Sequence, residues 1–370
     1  MPCASHCGGG GLSGDYMDGA VTAAQGETLT FSQKIKSGDF VGLSFKNFLL
    51  NIVTLSLYRF WAKTEVRRRI WEKVSLNGEP FEYTGKGKEL FFGFLKAMLI
   101  IIVPYLAVVL AAQFIGKWFL VLFVPMYIGL FVLLGAAIFM MFRYLAGRTT
   151  WRGVRFRVQG SPMDYGWAYL GYGLLTSITL GWFAPAMTMR MEGKLWSSLS
   201  FGDRKLTWKR GDNENLYGPF ALAWIVGIVG YGVFIGLLLS MATELNGAPT
   251  VTLFLKIYGF ALVYALILAV ASAAYYAAVM RAVVSAIRLD DARFSTSVKA
   301  VDLIVLSLTN ALITVFSLGI LTPVVAARTV RFVISRLSST GTVDLAGILQ
   351  APRSASGDEG LADAFDVSPF

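Results

Sequence analysis

The sequence predicts a mainly α-helical membrane protein: three repeats of a strand, a broken (re-entrant or interfacial) helix pair and a strand, with two transmembrane hairpins inserted between them. Three observations carry this expectation. Apolar residues fill 55% of the 370 positions and charged residues only 15%, whereas soluble domains carry about 25% charged residues. Four apolar runs, Leu90–Gln113, Trp118–Leu145, Leu216–Met241 and Val251–Met280, each reach the roughly 20 residues a spanning helix needs. The stretch from Phe31 to Gly78 recurs without gaps at displacements of 125 and 263 residues, which align Phe31 with Phe156 and Phe294, Asp39 with Asp164 and Asp302, and Trp71 with Trp196 and Ile334. A fixed offset held over that length reads as an internal repeat.

The elements follow in order. Residues 1–26 are rich in Gly, Ser and Ala and are expected to be disordered. They show neither an apolar core nor a basic leader, so the first membrane segment is expected to stay in the mature chain. The only histidine, His6, lies there with both cysteines, Cys3 and Cys7. Three adjacent ligands lack the second arm of a closed zinc site, so no metal and no cofactor is expected.

Repeat 1 covers residues 27–85. Thr28–Lys34 reads as a strand, and Asp39 as the N-cap of a first helix. That helix breaks at Thr54-Leu55-Ser56, and the corresponding breaks are Thr179-Leu180-Gly181 and Ser317-Leu318-Gly319. Glycine just past the last helical residue is a helix stop. Pro185 and Pro323 suit the first turn of the helix that follows. Asn77-Gly78 then marks a hairpin turn. Residues 86–147 form the first transmembrane hairpin. Residues 148–210 form repeat 2, opened by the alternating strand Val154–Val158. Residues 211–284 form the second hairpin, turning at Glu244–Gly247, and 285–345 form repeat 3, closing near Thr342–Asp344. Residues 346–370 are expected to be a disordered tail. Up to six short strands should gather outside the membrane, because bare strands are not tolerated in lipid.

Charge decides how the repeats face. The net charge is +10 and the isoelectric point near 9.5. Arg59–Lys73, Arg143–Arg157, Arg190–Arg210, Arg281–Lys299 and Arg328–Arg336 are all basic. Cytoplasmic loops carry such an excess, so the charge points to a membrane orientation and not to nucleic acid. If the first helix of each repeat spanned, the chain would cross seven times and its basic flanks would alternate sides, which they do not. From Asp39 to Thr54 a helix reaches only about 24 Å, short of the roughly 30 Å hydrocarbon core. The expectation is therefore four full spans, three re-entrant elbows and cytoplasmic termini. Arg59 and Lys63 follow the first elbow closely, so they must snorkel or line a wet cavity.

The string Asn51–Lys63, with Arg67-Arg68-Arg69, Asn77-Gly78 and Phe81–Gly85 after it, resembles the YjgN-like bacterial inner-membrane proteins. The resemblance covers most of residues 28–345 and is clearest in the first copy. It implies an inner-membrane location and a shared fold. It implies no activity, because the family's own function is not established. Ser56 departs from the glycine usual at the elbow.

No nucleophile–base set, phosphate-binding glycine loop or dinucleotide fingerprint is present, so an enzyme is not expected. Two functions remain. In the first, the elbows Thr54, Ser56, Thr179, Gly181, Ser317 and Gly319 surround a passive conduit or transporter path for a small solute, ion or lipid. In the second, the chain is a non-transporting scaffold that grips anionic lipid and a cytoplasmic or membrane partner, which the sequence does not name. Asp39, Asp164 and Asp302 would form an acidic ring at a pore mouth or simply cap their helices. Arg67, Arg68 and Arg69 are expected to meet lipid headgroups, and Trp71 and Trp196 to anchor at the interface.

Overall fold

A computed structural model describes residues 26–211, 215–241, 251–345 and 348. The two tails (Cys3, His6, Cys7 and nearly all of 346–370) and the turn at Glu244–Gly247 lie outside the described residues. The chain is mainly helical, and among the described residues four helices are long and apolar enough to cross a bilayer.

The first strand, β1 (Phe31–Gln33), leads through a 3-10 turn at Ser37–Phe40 into α1 (Val41–Val53), an elbow, α2 (Arg59–Trp71) and β2 (Val74–Leu76). After a tight turn, β3 (Glu79–Tyr83) feeds a helical hairpin, α3 (Gly87–Phe114) and α4 (Phe123–Arg148). Strands β4 (Thr149–Trp151) and β5 (Val154–Val158) precede α5 (Pro162–Ile178), a second elbow, α6 (Ala184–Ser197) and β6 (Leu199–Phe201). Two short strands, β7 (Arg204–Lys205) and β8 (Thr207–Trp208), lead to the second hairpin, α7 (Tyr217–Ser240) and α8 (Val251–Ala286). Strands β9 (Ile287–Leu289) and β10 (Ala292–Thr296), helices α9 (Ala300–Phe316) and α10 (Thr322–Ile334), and strand β11 (Leu337–Thr340) complete the order.

Strand pairing governs everything else. Strands β1 to β7 form one antiparallel sheet in chain order, and β8 to β11 form a second. Only Leu206 separates β7 from β8, so the chain steps from one sheet into the other. At the opposite edges, Glu27 and Val343 exchange two backbone hydrogen bonds of 2.9 Å, and the Ser339 hydroxyl donates to Leu29 O. Among the described residues, the eleven strands therefore form a ring of two sheets, joined through Leu206 on one side and by the Glu27–Val343 bridge on the other. The expectation of up to six strands fell short because stretches that read as single strands divide, as Leu199–Trp208 does into β6, β7 and β8, and Ile287–Thr296 into β9 and β10. The last strand ends at Thr340, whereas residues near Thr342–Asp344 were expected to form it. The bond of Val343 to Glu27 explains why that stretch is nonetheless tied down.

One apolar core fills the ring. Leu29, Leu76, Trp151, Phe201, Leu206, Leu289 and Val343 meet in it from both sheets. Trp151 is 2% exposed, and its indole N–H lies 3.3 Å from Leu76 O and 3.2 Å from Glu79 O. A buried indole needs such acceptors.

Each helical excursion begins and ends on neighbouring strands. β1 pairs with β2, β5 with β6, and β10 with β11, at either end of a helix pair. β3 pairs with β4, and β8 with β9, at either end of a hairpin. The registers Phe31–Leu76, Phe156–Phe201 and Phe294–Ser339 lie 125 and 263 residues apart.

The spanning helices are packed near the sheet and bare beyond it. In α8, the 36 residues reach about 54 Å. Nearly all of its buried positions, from Ala273 to Ala286, fall in the half nearest the sheet. Helix α4 packs on α5 by close backbone approach at Gly135 and Gly166, where added Cβ atoms would collide with Tyr169 and Val132. Gly171 and Gly173 face open space, so the packing role extends to only part of the Gly166–Gly173 run.

Candidate functional site

The three elbows share one backbone design. Leu55 and Ser56 have φ of 48° and 67°, Leu180 and Gly181 of 50° and 89°, and Leu318 and Gly319 of 51° and 80°. Two consecutive left-handed residues turn the chain sharply, and the second N–H closes the first helix. Ser56 N donates to Asn51 O at 2.6 Å, Gly181 N to Thr176 O at 2.7 Å, and Gly319 N to Thr314 O at 2.8 Å. Such bonds satisfy the carbonyls left unpaired at a helix C-terminus.

The elbow hydroxyls are used by the backbone. Thr54 and Thr179 Oγ1 accept from Tyr58 and Phe183 N–H at 3.0 Å, and Ser317 Oγ accepts from Leu321 N–H at 3.2 Å. Each satisfies an N–H near the start of the second helix. Around them the elbow surface is apolar: Leu55 is 89% exposed, Leu180 72% and Leu318 90%. Val53, Ile178 and Phe316 are exposed beside them.

The three aspartates sit in the first turns of their helix pairs, each engaged locally. Asp39 lies in the 3-10 turn, where it is not the N-cap, and pairs with Lys73 at 2.6 Å. Asp302 accepts from Lys299 N–H at 3.3 Å and pairs with Arg336 at 3.3 Å. Asp164 occupies the first turn of α5, and its N–H donates to the N-cap Ser161. Lys73 and Arg336 stand at corresponding places, 263 residues apart. Each cation, first through its hydrogen bond, holds its partner's carboxyl below the ordinary value.

The residues expected at lipid headgroups divide. Arg68 and Arg69 are exposed, but Arg67 is buried. Trp71 and Trp196 are half-buried, and their indole N–H groups donate inward, to Thr149 Oγ1 at 2.9 Å and Glu192 Oε2 at 3.0 Å. Both indoles are thus engaged within the protein. Glu192, where the first copy has Arg67, is half-buried, and its partial burial pushes the carboxyl above the ordinary value.

The elbows do not meet as three equals. The second leans on α7: Trp224 Nε1–H donates to Leu180 O at 2.8 Å, and the rings of Trp182 and Trp224 lie 5.4 Å apart. The third elbow and the first helix pair instead enclose a cavity of about 400 Å³, which no residue of the first elbow itself lines. Helix α1 contributes Ser44, Asn47 and Asn51, and α2 contributes Arg59, Lys63 and Arg67. Leu318 to Thr322 and the start of α10 close the opposite wall, and no residue of the second elbow takes part. Asn47 is 5% exposed, and neither of its amide atoms has a hydrogen-bond partner; Asn51 Oδ1 lacks one too. Arg59 and Lys63, close after the first elbow, stand in the wall of this cavity. Sequence reasoning missed Ser44, Asn47 and Asn51. The available signal was three polar residues on one face of an apolar helix.

Comparison with known proteins adds a family. A model described as "Bacterial protein of unknown function (DUF898)" matches residues 28–364. Among curated proteins, "Inner membrane protein YjgN" of Salmonella typhimurium is 38% identical over 76 residues, 20% of this chain and 19% of that protein. The protein of the same name from Escherichia coli O157:H7 is 25% identical over 201 residues, 53% of this chain and 43% of its own length. The chain thus spans less than half the length of the curated relatives it matches. No solved structure matches it.

Proposed function

The chain belongs to the YjgN-like DUF898 family of bacterial proteins of unknown function, and from that membership and the geometry above we propose a multi-pass inner-membrane scaffold that binds anionic lipid without catalysis. In this reading the strand ring stands on the cytoplasmic face. Two hairpins cross the bilayer, and three copies of one elbow unit dip into the near leaflet. The carrying observation is strand pairing: every helix pair and every hairpin leaves and rejoins adjacent strands. An excursion that returns to its starting sheet crosses an even number of times or not at all. The exposed leucines at the elbow tips suit a lipid-facing end. Basic residues on and beside the strands, such as Arg155, Arg157, Arg204 and Arg288, suit a cytoplasmic ring.

The scaffold reading is favoured over a conduit through the elbows. A conduit needs Thr54, Thr179 and Ser317 to offer their hydroxyls to a passing solute, and these already accept from backbone N–H groups.

Single cysteines at Asp203 and Arg293, in a chain with Cys3 and Cys7 replaced by serine, test the orientation. A membrane-impermeant maleimide should leave both unlabelled in intact cells and label both in inverted vesicles. Labelling of either from outside would refute the one-sided arrangement. Liposome flux tests the choice of function: changing Thr54, Thr179 and Ser317 together to Leu should leave solute flux at the background of empty vesicles. A wild-type flux abolished by that triple change would restore the conduit.

A further inference from the structure

We propose that the cavity between the first helix pair and the third elbow binds an uncharged glycerol ester, a single acyl chain whose head carries an ester carbonyl and free hydroxyls. The three copies part at Asn47. Buried polar groups in native proteins are almost always hydrogen-bonded, yet both amide atoms of Asn47 are closed to solvent and lack a partner. The other two copies engage this position internally. At Asn310, 263 residues on, Oδ1 accepts from Arg328 Nε at 3.1 Å and Nδ2 donates to Thr329 Oγ1 at 3.3 Å. At Tyr172, 125 residues on, the Arg190 guanidinium lies over the ring, 5.4 Å from its centroid. Arg190 and Arg328 share one place in the second helix of their pairs, and in the first copy that place is Glu65. Glu65 turns to Lys46 instead, at 2.9 Å. The first copy thus lacks the side chain that engages this position in the other two, and its asparagine lines a cavity.

The chemistry of the occupant follows from the amides alone. Lys63 and Arg67 in the wall have interactions of their own, so they set no charge on the ligand. Asn47 offers a donor and an acceptor, and Asn51 Oδ1 is a second acceptor without a partner. One helical turn separates the two residues, about 5–6 Å between Cβ atoms, within reach of a three-carbon head. A ligand that meets all three atoms needs one acceptor oxygen and two hydroxyl donors. A monoacylglycerol carries that set, an ester carbonyl and two hydroxyls, and brings no charge to be desolvated. The last torsion of asparagine is broad, so a bound head can turn the amide toward itself. About 400 Å³ lies within the range of small-molecule sites. Phe48, Val66, Ile320 and Val330 supply apolar walls, and Leu318, at the exposed elbow tip, lies on the side where the acyl chain would leave.

Only the entry of this ligand from the bilayer rests on the scaffold reading; the match of hydroxyls to amides does not. Purified full-length protein in neutral detergent tests that match. Thermal melts would be recorded with 1-monooleoylglycerol, with methyl oleate, which has the same chain and ester but no hydroxyl, and with glycerol. Monooleoylglycerol should raise the melting temperature, and methyl oleate should not. In Asn47→Leu the monooleoylglycerol concentration for half the effect should rise at least tenfold. That variant removes an unpaired amide, so without ligand it should melt no lower than wild type. A lower melt would give the amide a partner inside the protein and overturn the proposal. Ala326→Phe, which fills the cavity from the opposite wall, should also lose the response, and exposed Arg68→Gln should keep it. A response to glycerol alone, lost in Asn47→Leu, would keep the hydroxyl chemistry and assign the site to a soluble polyol. Equal responses to monooleoylglycerol and methyl oleate, equal responses of wild type and Asn47→Leu, or no response to any of the three compounds would overturn the proposal. Because these melts need no membrane orientation, their failure is distinct from a failed cysteine-labelling result.

Discussion

The elbows make a prediction whose sign reverses between copies. Ser56 holds φ of 67°, while its counterparts at φ 89° and 80° are Gly181 and Gly319. A left-handed conformation costs an L-residue roughly 1–2 kcal/mol. Glycine escapes that cost but has a more mobile unfolded chain, which returns about 0.4–1 kcal/mol. The net benefit of glycine is therefore about 1 kcal/mol. Sterics add little, since a Cβ at Gly181 would come no nearer than 3.7 Å to Trp224, and one at Gly319 no nearer than 3.9 Å to Thr322. Ser56→Gly should thus stabilise by about 1 kcal/mol, and Gly319→Ser and Gly181→Ser should each destabilise by about as much. In a domain of 150–250 residues, 1 kcal/mol moves the melting temperature by about 2–4 °C, and less in a longer chain. The comparison belongs in one detergent, with apparent melting temperatures read by intrinsic tryptophan fluorescence. The double variant Ser56→Gly, Gly319→Ser should return close to wild type, because distant sites add. A fall in melting temperature for Ser56→Gly, or no change in either glycine variant, would refute the left-handed elbow as the source of the preference.

Two further outcomes concern titration. Glu192 has its carboxyl raised above 4.5 by burial, so its protonated form stabilises the fold below about pH 4.5 and that contribution is lost as pH rises through the raised value. Glu192→Gln should therefore melt higher than wild type at neutral pH and equally at pH 4, with the Trp196 hydrogen bond kept by the amide oxygen; a lower melt at neutral pH would place a cation beside the carboxylate. Asp39 and Asp302 are lowered from 3.8 by Lys73 and Arg336, so their contribution is present above that value and fades as pH falls below it. Asp39→Asn and Asp302→Asn should be nearly silent in melts at neutral pH except for a slight loss, and should flatten the acid limb below pH 4; a large loss of lipid binding without destabilisation would give the aspartates a role beyond their ion pairs.

What the sequence made legible was local and periodic. The left-handed elbow can be read from glycine at Gly181 and Gly319, and the hairpin turn from Asn77-Gly78, whose φ values of 49° and 84° need such residues. The long apolar helices follow from composition, because lipid imposes nearly all-apolar runs. Strands of two or three residues leave no such trace, which is why β6, β7 and β8 read in the sequence as one closing strand ending at Trp208. The three aspartates lie in the first turns of their helix pairs, though none is the N-cap residue, and the partners of Asp39 and Asp302, Lys73 and Arg336, lie 34 residues further on and meet them only when the helix pair folds back. Trp71 and Trp196 read as interfacial anchors because tryptophan is common there. Only the fold shows Thr149 and Glu192 waiting for their N–H groups. The cavity was hidden most deeply. Its walls come from the first and third copies, and the unpartnered state of Asn47 is a property of the space around it, not of its own helix.

Hydropathy alone would count seven crossings, and connectivity tells against that count without appeal to charge. Helix α1 has 13 residues and α9 has 17, about 20 Å and 26 Å long, both short of a roughly 30 Å core. Length by itself leaves room for tilt or local thinning of the bilayer. Strand pairing does not. If the first helix of the third unit crossed, α10 would have to cross back for β11 to reach β10, where Phe294 faces Ser339. Yet α10 carries Arg328 and Arg331 among 13 residues, and a charge at the bilayer centre costs about 2.5–3.5 kcal/mol even on the lenient insertion scale. Crossing in one helix therefore compels an expensive crossing in the next, whereas a shallow dip requires neither. The same reasoning covers α2, with Arg59, Lys63, Arg67, Arg68 and Arg69, and α6, with Arg190, Glu192 and Lys194. In the proposed arrangement the second helix of each pair, the charged one, would limit how deep the first can go.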